Sequence, residues 1–461
     1  MMEYKGLPLK GGHIPELDRD FVPLGLFFRT YQAEAKHPFA VAVEGGGGQV
    51  TVYETALRDP MLGSEADRLY VDRLVKCLLW MWGGWKVTIC GSDAAWEQLR
   101  QAYAPGGSRA FDEDFMSRVY EHPFQVERCS YEDRPRNVGG GEGMAGNLEG
   151  CRIGIDLGGS NIKVSAVQDG QTVCNESFPW QPKVEADPQY HYDHLRDAVK
   201  TMAAKLPRVD GVGISSAGVF IENRCMVASL FLAVSREDFD RKSCKDLYIR
   251  AVADAVGKDV PLTIANDGDV TALAGSLAGI GGALLGTSLG TAQAGGYVTE
   301  TGAVTGWLNE FAFVPIDARA DVAIDPWSGD GGCGVNYLSQ DGTIRLAPLA
   351  GLEPVGDDPS AQFRYLRAKA EAGDDRGMAI YRTMGDYLGH ALAMYEMFYS
   401  TKRVLVMGGV AGGPGGDLML ARAREVLKED YGSTLQVDAP DEKVRQLGQS
   451  VAAAALPQIK C

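Results

Sequence analysis

No run of apolar residues approaches the ~20 that a membrane-spanning helix needs, so a membrane partner is not expected. The opening residues, MMEYKGLPLKGGHIPELDRD, are broken by proline, glycine and charge and do not read as a signal peptide. The nine cysteines include no CxxC pair, which suits reduced thiols better than a disulfide framework and points to the cytoplasm. Positive charge is also scarce: 45 Lys and Arg stand against 61 Asp and Glu, a net charge of −16. Proteins that bind nucleic acid gain affinity by neutralising phosphates, so a nucleic-acid partner is disfavoured. A nucleotide ligand is not, because backbone amides and a metal can hold a polyphosphate locally while exposed charges beyond ~10 Å are screened.

What is present is an ordinary soluble composition, 45% apolar and 23% charged, over 461 residues, which is enough for two or three domains. Residues 1–150 read as a small α/β domain. FAVAVEG (39–45) and VTVYETA (50–56) form a hairpin, and Ser64 caps a helix that runs to Gly83-Gly84 with Tyr70, Leu74, Cys77 and Met81 on one face. A strand (85–91), a helix (94–103) and another strand (124–132) follow. Residues 138–150 are glycine-rich and polar and read as a boundary or an exposed loop. No motif in this part carries chemistry. From Cys151 to about residue 275 the predicted order is β-β-β-α-β-α-β-α, and residues 276–461 begin a second unit with another hairpin. Helices at 377–400, after Gly416 and from about Lys443 complete it, with the strand RVLVMGG between the first two. Two α/β lobes with a cleft are expected.

Four segments can carry chemistry. GIDLGGSNIKV (154–164) is a strand ending in Asp156, a turn and a returning strand. Gly158, Gly159 and Ser160 let backbone amides approach phosphate oxygens, Asp156 can hold magnesium through water, and Lys163 lies on the returning strand. GTSLGTAQAGG (286–296) repeats the design with Gly286, Thr287, Ser288, Gly290 and Thr291. VLVMGGVAGG (404–413) runs into Gly408 and Gly409, where a nucleoside can lie on the backbone. Each alone reads equally as a common turn. The fourth, TIANDGDVTALA (263–274), places Asn266 and Asp267 where a strand ends and a helix begins. An Asp there can take the proton of an attacking hydroxyl or simply cap the helix, and Asp269 competes for the first role.

Together these segments resemble the ROK family (repressors, uncharacterised frames and sugar kinases) of the actin, Hsp70 and hexokinase-like superfamily, over roughly residues 152–456. The resemblance implies a two-lobed, actin-like (ribonuclease H-like) ATPase core. Segment 154–164 is similar to the family's first phosphate motif, 286–296 to its second, 404–413 to its adenosine motif, and VGISSAGV (212–219) to its stretch after the second helix. The Asn-Asp pair of the family maps onto Asn266 and Asp267, which makes Asp267 the implied catalytic base. ATP, magnesium and a small sugar are the implied ligands, and a homodimer is compatible with the family's habits. The closing helix is expected to pack back on the first lobe.

Two departures stand out. The family's Gly-Glu-x-Gly-His segment is matched by LNEFAFVPID (308–317), where Glu310 fits the sugar-binding Glu but Phe313 replaces the His. Its cysteine-rich zinc loop is matched only by GDGGCGVNYLSQDG (329–342), with the single Cys333, so no structural zinc is predicted. The family's repressors begin with a winged helix-turn-helix, whereas two strands are expected to come first here. The reading that follows is an ATP-dependent kinase of a hexose or N-acetylhexosamine. Its alternatives are a non-catalytic sugar- or nucleotide-binding regulator of the same fold and an ATPase with another acceptor.

Overall fold

The structure is a computed structural model that describes residues 2–139, 148–441, 444 and 448–459. These fall into two compact units. One holds the residues up to Gly139 together with Thr287–Gly295 and Trp307–Ala439. The other holds the residues up to Gly286 that follow this first stretch, with Gly296–Gly306 and those from Pro440 on. Part of the predicted boundary at 138–150, and Lys443 at the predicted start of the closing helix, lie outside the described residues.

The second unit is built on a five-stranded sheet in the order Leu262–Asn266, Gly211–Ser216, Cys151–Leu157, Asn161–Gln168, Gln171–Pro179. The first three strands are parallel, and Asn161–Gln168 runs antiparallel to both of its neighbours. Alternation decides the faces. Ile153, Ile155, Leu157, Val212 and Ile214 point to one side, where Leu195, Val199 and Met202 of helix Pro188–Ala203 and Ala251 and Val252 of helix Leu247–Val256 complete a core. On the other side Gly154 and Gly213 are register partners. Helix Gln449–Ala454 lies directly on them, because a Cβ on Gly154 would come within 1.8 Å of the Ser450 carbonyl oxygen and one on Gly213 within 1.7 Å of that of Ala453. Buried Arg152 donates to the carbonyls of Ala454 and Pro457 at 3.2 and 2.8 Å, satisfying the open end of this helix. A short hairpin, Val219–Ile221 with Arg224–Val227, adds to the predicted order.

In the first unit a four-stranded sheet runs Val50–Leu57, His37–Glu44, Lys86–Cys90, Gln125–Cys129. The expected hairpin and the helix Glu65–Met81 are present, and Ser64 forms a full capping box with Asp67. Two strands do come first, but they are Met2–Tyr4 and Leu7–Leu9, an antiparallel pair ahead of the expected hairpin. Helix Leu24–Glu34 precedes the hairpin, with Leu24, Phe27, Phe28 and Tyr31 buried at the i, i+3, i+4, i+7 spacing of a core-facing helix. Helices Ala110–Tyr120 and Pro359–Glu371 are also additions to the predicted set, while Asp375–Tyr395 agrees with it. A further sheet has the order Gln293–Val298, Leu284–Leu289, Arg403–Met407, Gln436–Asp438, of which Thr287–Leu289, Gln293–Gly295 and the last two strands belong to this unit. Residues 1–139 thus share one compact unit with residues 307–439 rather than forming a core apart from them.

Candidate active site

In the second unit the chemistry gathers at the carboxyl edge of the parallel strands, where ligands of open α/β sheets bind. Register pairs Asp156 with Ser215 and Ser216 with Asn266. Asp156 and the Asn266-Asp267 pair therefore stand at one level, two strand spacings or about 10 Å of sheet apart. Asn266 caps helix Asp267–Gly275: its Oδ1 accepts from the Gly268 amide at 2.8 Å. Its Nδ2 donates to the Gly218 carbonyl at 2.7 Å, tying in a turn where Gly218 has φ 140°. An amide side chain so engaged keeps one N–H and one lone pair for a ligand.

The carbonyl of Asp267 accepts from Gln449 Nε2 and from Thr271 Oγ1, both at 2.7 Å. The Asp267 carboxyl is pushed above the ordinary carboxylate range, first by burial and then by the like charge of Asp156, while the backbone amides of Gly268 and Asp267 pull the other way. Asp156 is also raised by burial, against the pull of Lys163, whose Nζ is 3.5 Å from Oδ2. The rival base, Asp269, is buried and accepts from the Tyr297 amide at 3.1 Å. It faces the adjoining strand, so of the two carboxylates Asp267 is the one with access to a ligand.

The first phosphate turn is held from behind. Trp180 donates from Nε1 to the Gly158 carbonyl at 2.7 Å and from its amide to the Ser160 carbonyl at 3.1 Å. The Gly158 amide closes the turn on Asn161 at 3.0 Å. Among the described residues none accepts from the amides of Gly159 and Ser160, which are the donors a phosphate would use. Lys183 lies alongside, its Nζ 3.5 Å from where a Cβ on Gly159 would sit. Neither Lys183, Trp180 nor Gln449 was identified from the sequence. Only Trp180, an aromatic just past a predicted strand, left a local signal; the other two are brought in by the fold.

In the first unit the second glycine turn meets the third. Gly408, at φ 93°, packs on the Leu289 backbone, where a Cβ would come within 2.3 Å of the carbonyl oxygen. Val410 donates to Leu289 O at 3.0 Å and Gln340 to Gly290 O at 2.8 Å. Thr287 is buried and its hydroxyl donates to Ala294 O at 3.1 Å, whereas Thr291, Gly408 and Gly409 are exposed and Ser288 is half-buried. Glu310 lies half-buried at the start of a short turn, its amide donating to Trp80 O at 3.0 Å. Phe313 packs against the Trp80 ring with centroids 4.3 Å apart.

Among the described residues no group of three or more His, Cys, Asp or Glu side chains could hold a metal ion. This donor set does not resemble an all-protein cage. Asp156 would offer magnesium a single carboxylate, the remainder of the ion's shell being water and substrate phosphates. No helix among the described residues is long and apolar enough to cross a membrane.

No family model and no curated protein matches the chain. Solved structures do. The ROK hexokinase of Thermus thermophilus aligns at 20% identity with a TM-score of 0.52, covering 67% of this chain and 98% of that one. The ROK family glucokinase of Streptomyces griseus, in complex with glucose and AMPPNP, aligns at 21% identity and a TM-score of 0.46 over 67% and 99%. A ROK family transcriptional regulator homologous to the MLC protein of E. coli aligns at 18% and 0.47 over 67% and 78%. The chain therefore shares, over two-thirds of its length, the fold of the ROK hexokinase.

Proposed function

We propose that the protein is an ATP-dependent kinase of a hexose or N-acetylhexosamine, acting in the cytoplasm on a small sugar with no nucleic-acid or membrane partner. The observation that carries this is the shared edge in the second unit, where a raised, accessible Asp267 stands level with Asp156 and a glycine turn with unpaired amides. Gly159 and Ser160 donate to phosphate oxygens, and Lys163 and Lys183 add positive charge there. Gly290 and Thr291 form the second phosphate turn at the end of strand Leu284–Leu289, in which buried Gly286 and Thr287 and half-buried Ser288 support it, and Gly408 and Gly409 take the adenosine. Asp156 holds magnesium through water, and the ion supplies charge neutralisation on the phosphates. Asn266 and Glu310 orient the sugar. Asp267 accepts the proton of the attacking hydroxyl, a role that needs positioning more than unusual basicity.

The test is ADP release from ATP against a panel of hexoses and N-acetylhexosamines, for the wild type and Asp267→Asn. Sugar-stimulated turnover that falls by about 10²–10⁴-fold in the variant is expected, the range for losing a general base. Turnover indifferent to every sugar would contradict the proposal. Phe313, an apolar ring where the family carries a sugar-binding His, favours a second reading as a non-catalytic regulator. That reading gains if ATP and sugar bind without turnover.

A further inference from the structure

Helix Glu65–Met81 ends in an unusual way. The last carbonyls of an α-helix have no partner within it, and here three successive ones are taken up by one segment far along the chain. Trp80, Met81 and Trp82 accept from the amides of Glu310, Asn309 and Leu308 at 3.0, 2.9 and 3.1 Å. Gly83, at φ 78°, permits this approach, because a Cβ there would stand 2.8 Å from that of Leu308. Tyr399 closes the junction, donating to Asn309 Oδ1 at 2.8 Å. Asn309 itself is held at φ 52°, a left-handed conformation that a non-glycine residue adopts at some cost and keeps only where its surroundings fix it.

Side chains lock the same segment from its other end. Phe313 joins the rings of Trp80, Phe111 and Phe115, all supplied by residues 1–139, with centroids 4.3, 5.8 and 6.5 Å away. Trp80 is completely buried and oriented by Asp112, which accepts from its Nε1 at 2.9 Å. Asp112 in turn pairs with Lys76 at 3.1 Å. Lys76 and Arg73 also reach Asp330, at 3.1 and 2.9 Å, and so anchor the loop that follows.

We propose that helix Glu65–Met81, through its terminal carbonyls and the Trp80 ring, is a positioning element that sets the main chain of residues 308–313 and with it the Glu310 carboxylate. The amino-terminal residues then govern affinity for the sugar without touching it. The inference rests on the sugar-orienting role given to Glu310 above. Phe313→Leu removes the ring contact while keeping an apolar side chain, and Trp80→Phe is a milder variant that removes the Asp112 bond. Two readouts are needed. Amide exchange at Leu308, Asn309 and Glu310 should quicken about tenfold in the variants. The KM for the sugar should rise about five- to tenfold with the KM for ATP within about twofold, since small displacements of a positioning group are costly. Unchanged exchange overturns the proposal, and so does quickened exchange with both KM values rising together or neither moving. A wild type without sugar-dependent turnover defeats the kinase reading instead, and amide exchange alone then decides whether the helix fixes this segment.

Discussion

A carboxylate at the start of a helix is ordinarily held low by the amides around it, yet Asp267 is shifted up because burial and Asp156 outweigh those amides. The sign of the linkage follows. A folded-state value above the unfolded one means that the ionised group destabilises the fold above the unfolded pKa of about 3.9 and is neutral in effect well below it. Asp267→Asn should therefore raise Tm at neutral pH, and the gain should vanish as the pH falls below the ordinary carboxylate range; calorimetry across pH checks it. In the wild type, the acid limb of kcat/KM should lie above the pH expected of an unperturbed Asp. The same residue would then be costly for stability and necessary for turnover.

Among the elements, helix Gln449–Ala454 connects stability to chemistry. It rests on Gly154 and Gly213, and its first residue holds the carbonyl of Asp267. Gly213→Ala should displace it, because the new Cβ would meet the Ala453 carbonyl at 1.7 Å, a backbone contact that cannot yield as a side chain end could. Overpacking of this kind costs about 1–3 kcal/mol. Urea unfolding should register that loss, and ADP release should show a fall in kcat beyond what the remaining folded fraction explains. A soft interior would give the first without the second.

These elements also show how far the sequence reaches. The strand-turn-strand of residues 154–164, the Ser64 cap and the helix start at Asp267 were legible because their signals are local: alternation, turn glycines and capping side chains. The Leu24, Phe27, Phe28, Tyr31 stripe of helix Leu24–Glu34 is a signal of the same local kind, though the alternating runs that follow it are the stronger pattern. Gln449 and Lys183 had no local signal. They reach their places through helix packing and strand-end geometry, which single-residue spacing does not encode.

At the scale of the whole molecule, both units are discontinuous. Residues up to Gly139 find their packing partners in Trp307–Ala439, and the sheet that carries Asp156 and Asp267 is covered on one side by residues beyond Pro440. On the ribosome, where chains emerge from the amino end at roughly 5–20 residues per second, the first unit cannot close until Trp307–Ala439 has emerged, and the Gly154 and Gly213 face of the second cannot close until helix Gln449–Ala454 has. The nascent chain must carry the Trp80 ring uncovered until Phe313 follows it, and the Gly154 and Gly213 face uncovered until helix Gln449–Ala454 does. Completion of both units should thus come late in folding and be sensitive to chaperone supply. A chain stopped after Ala439 should yield no protease-resistant second unit, whereas release of the full chain should produce both cores within the same kinetic phase.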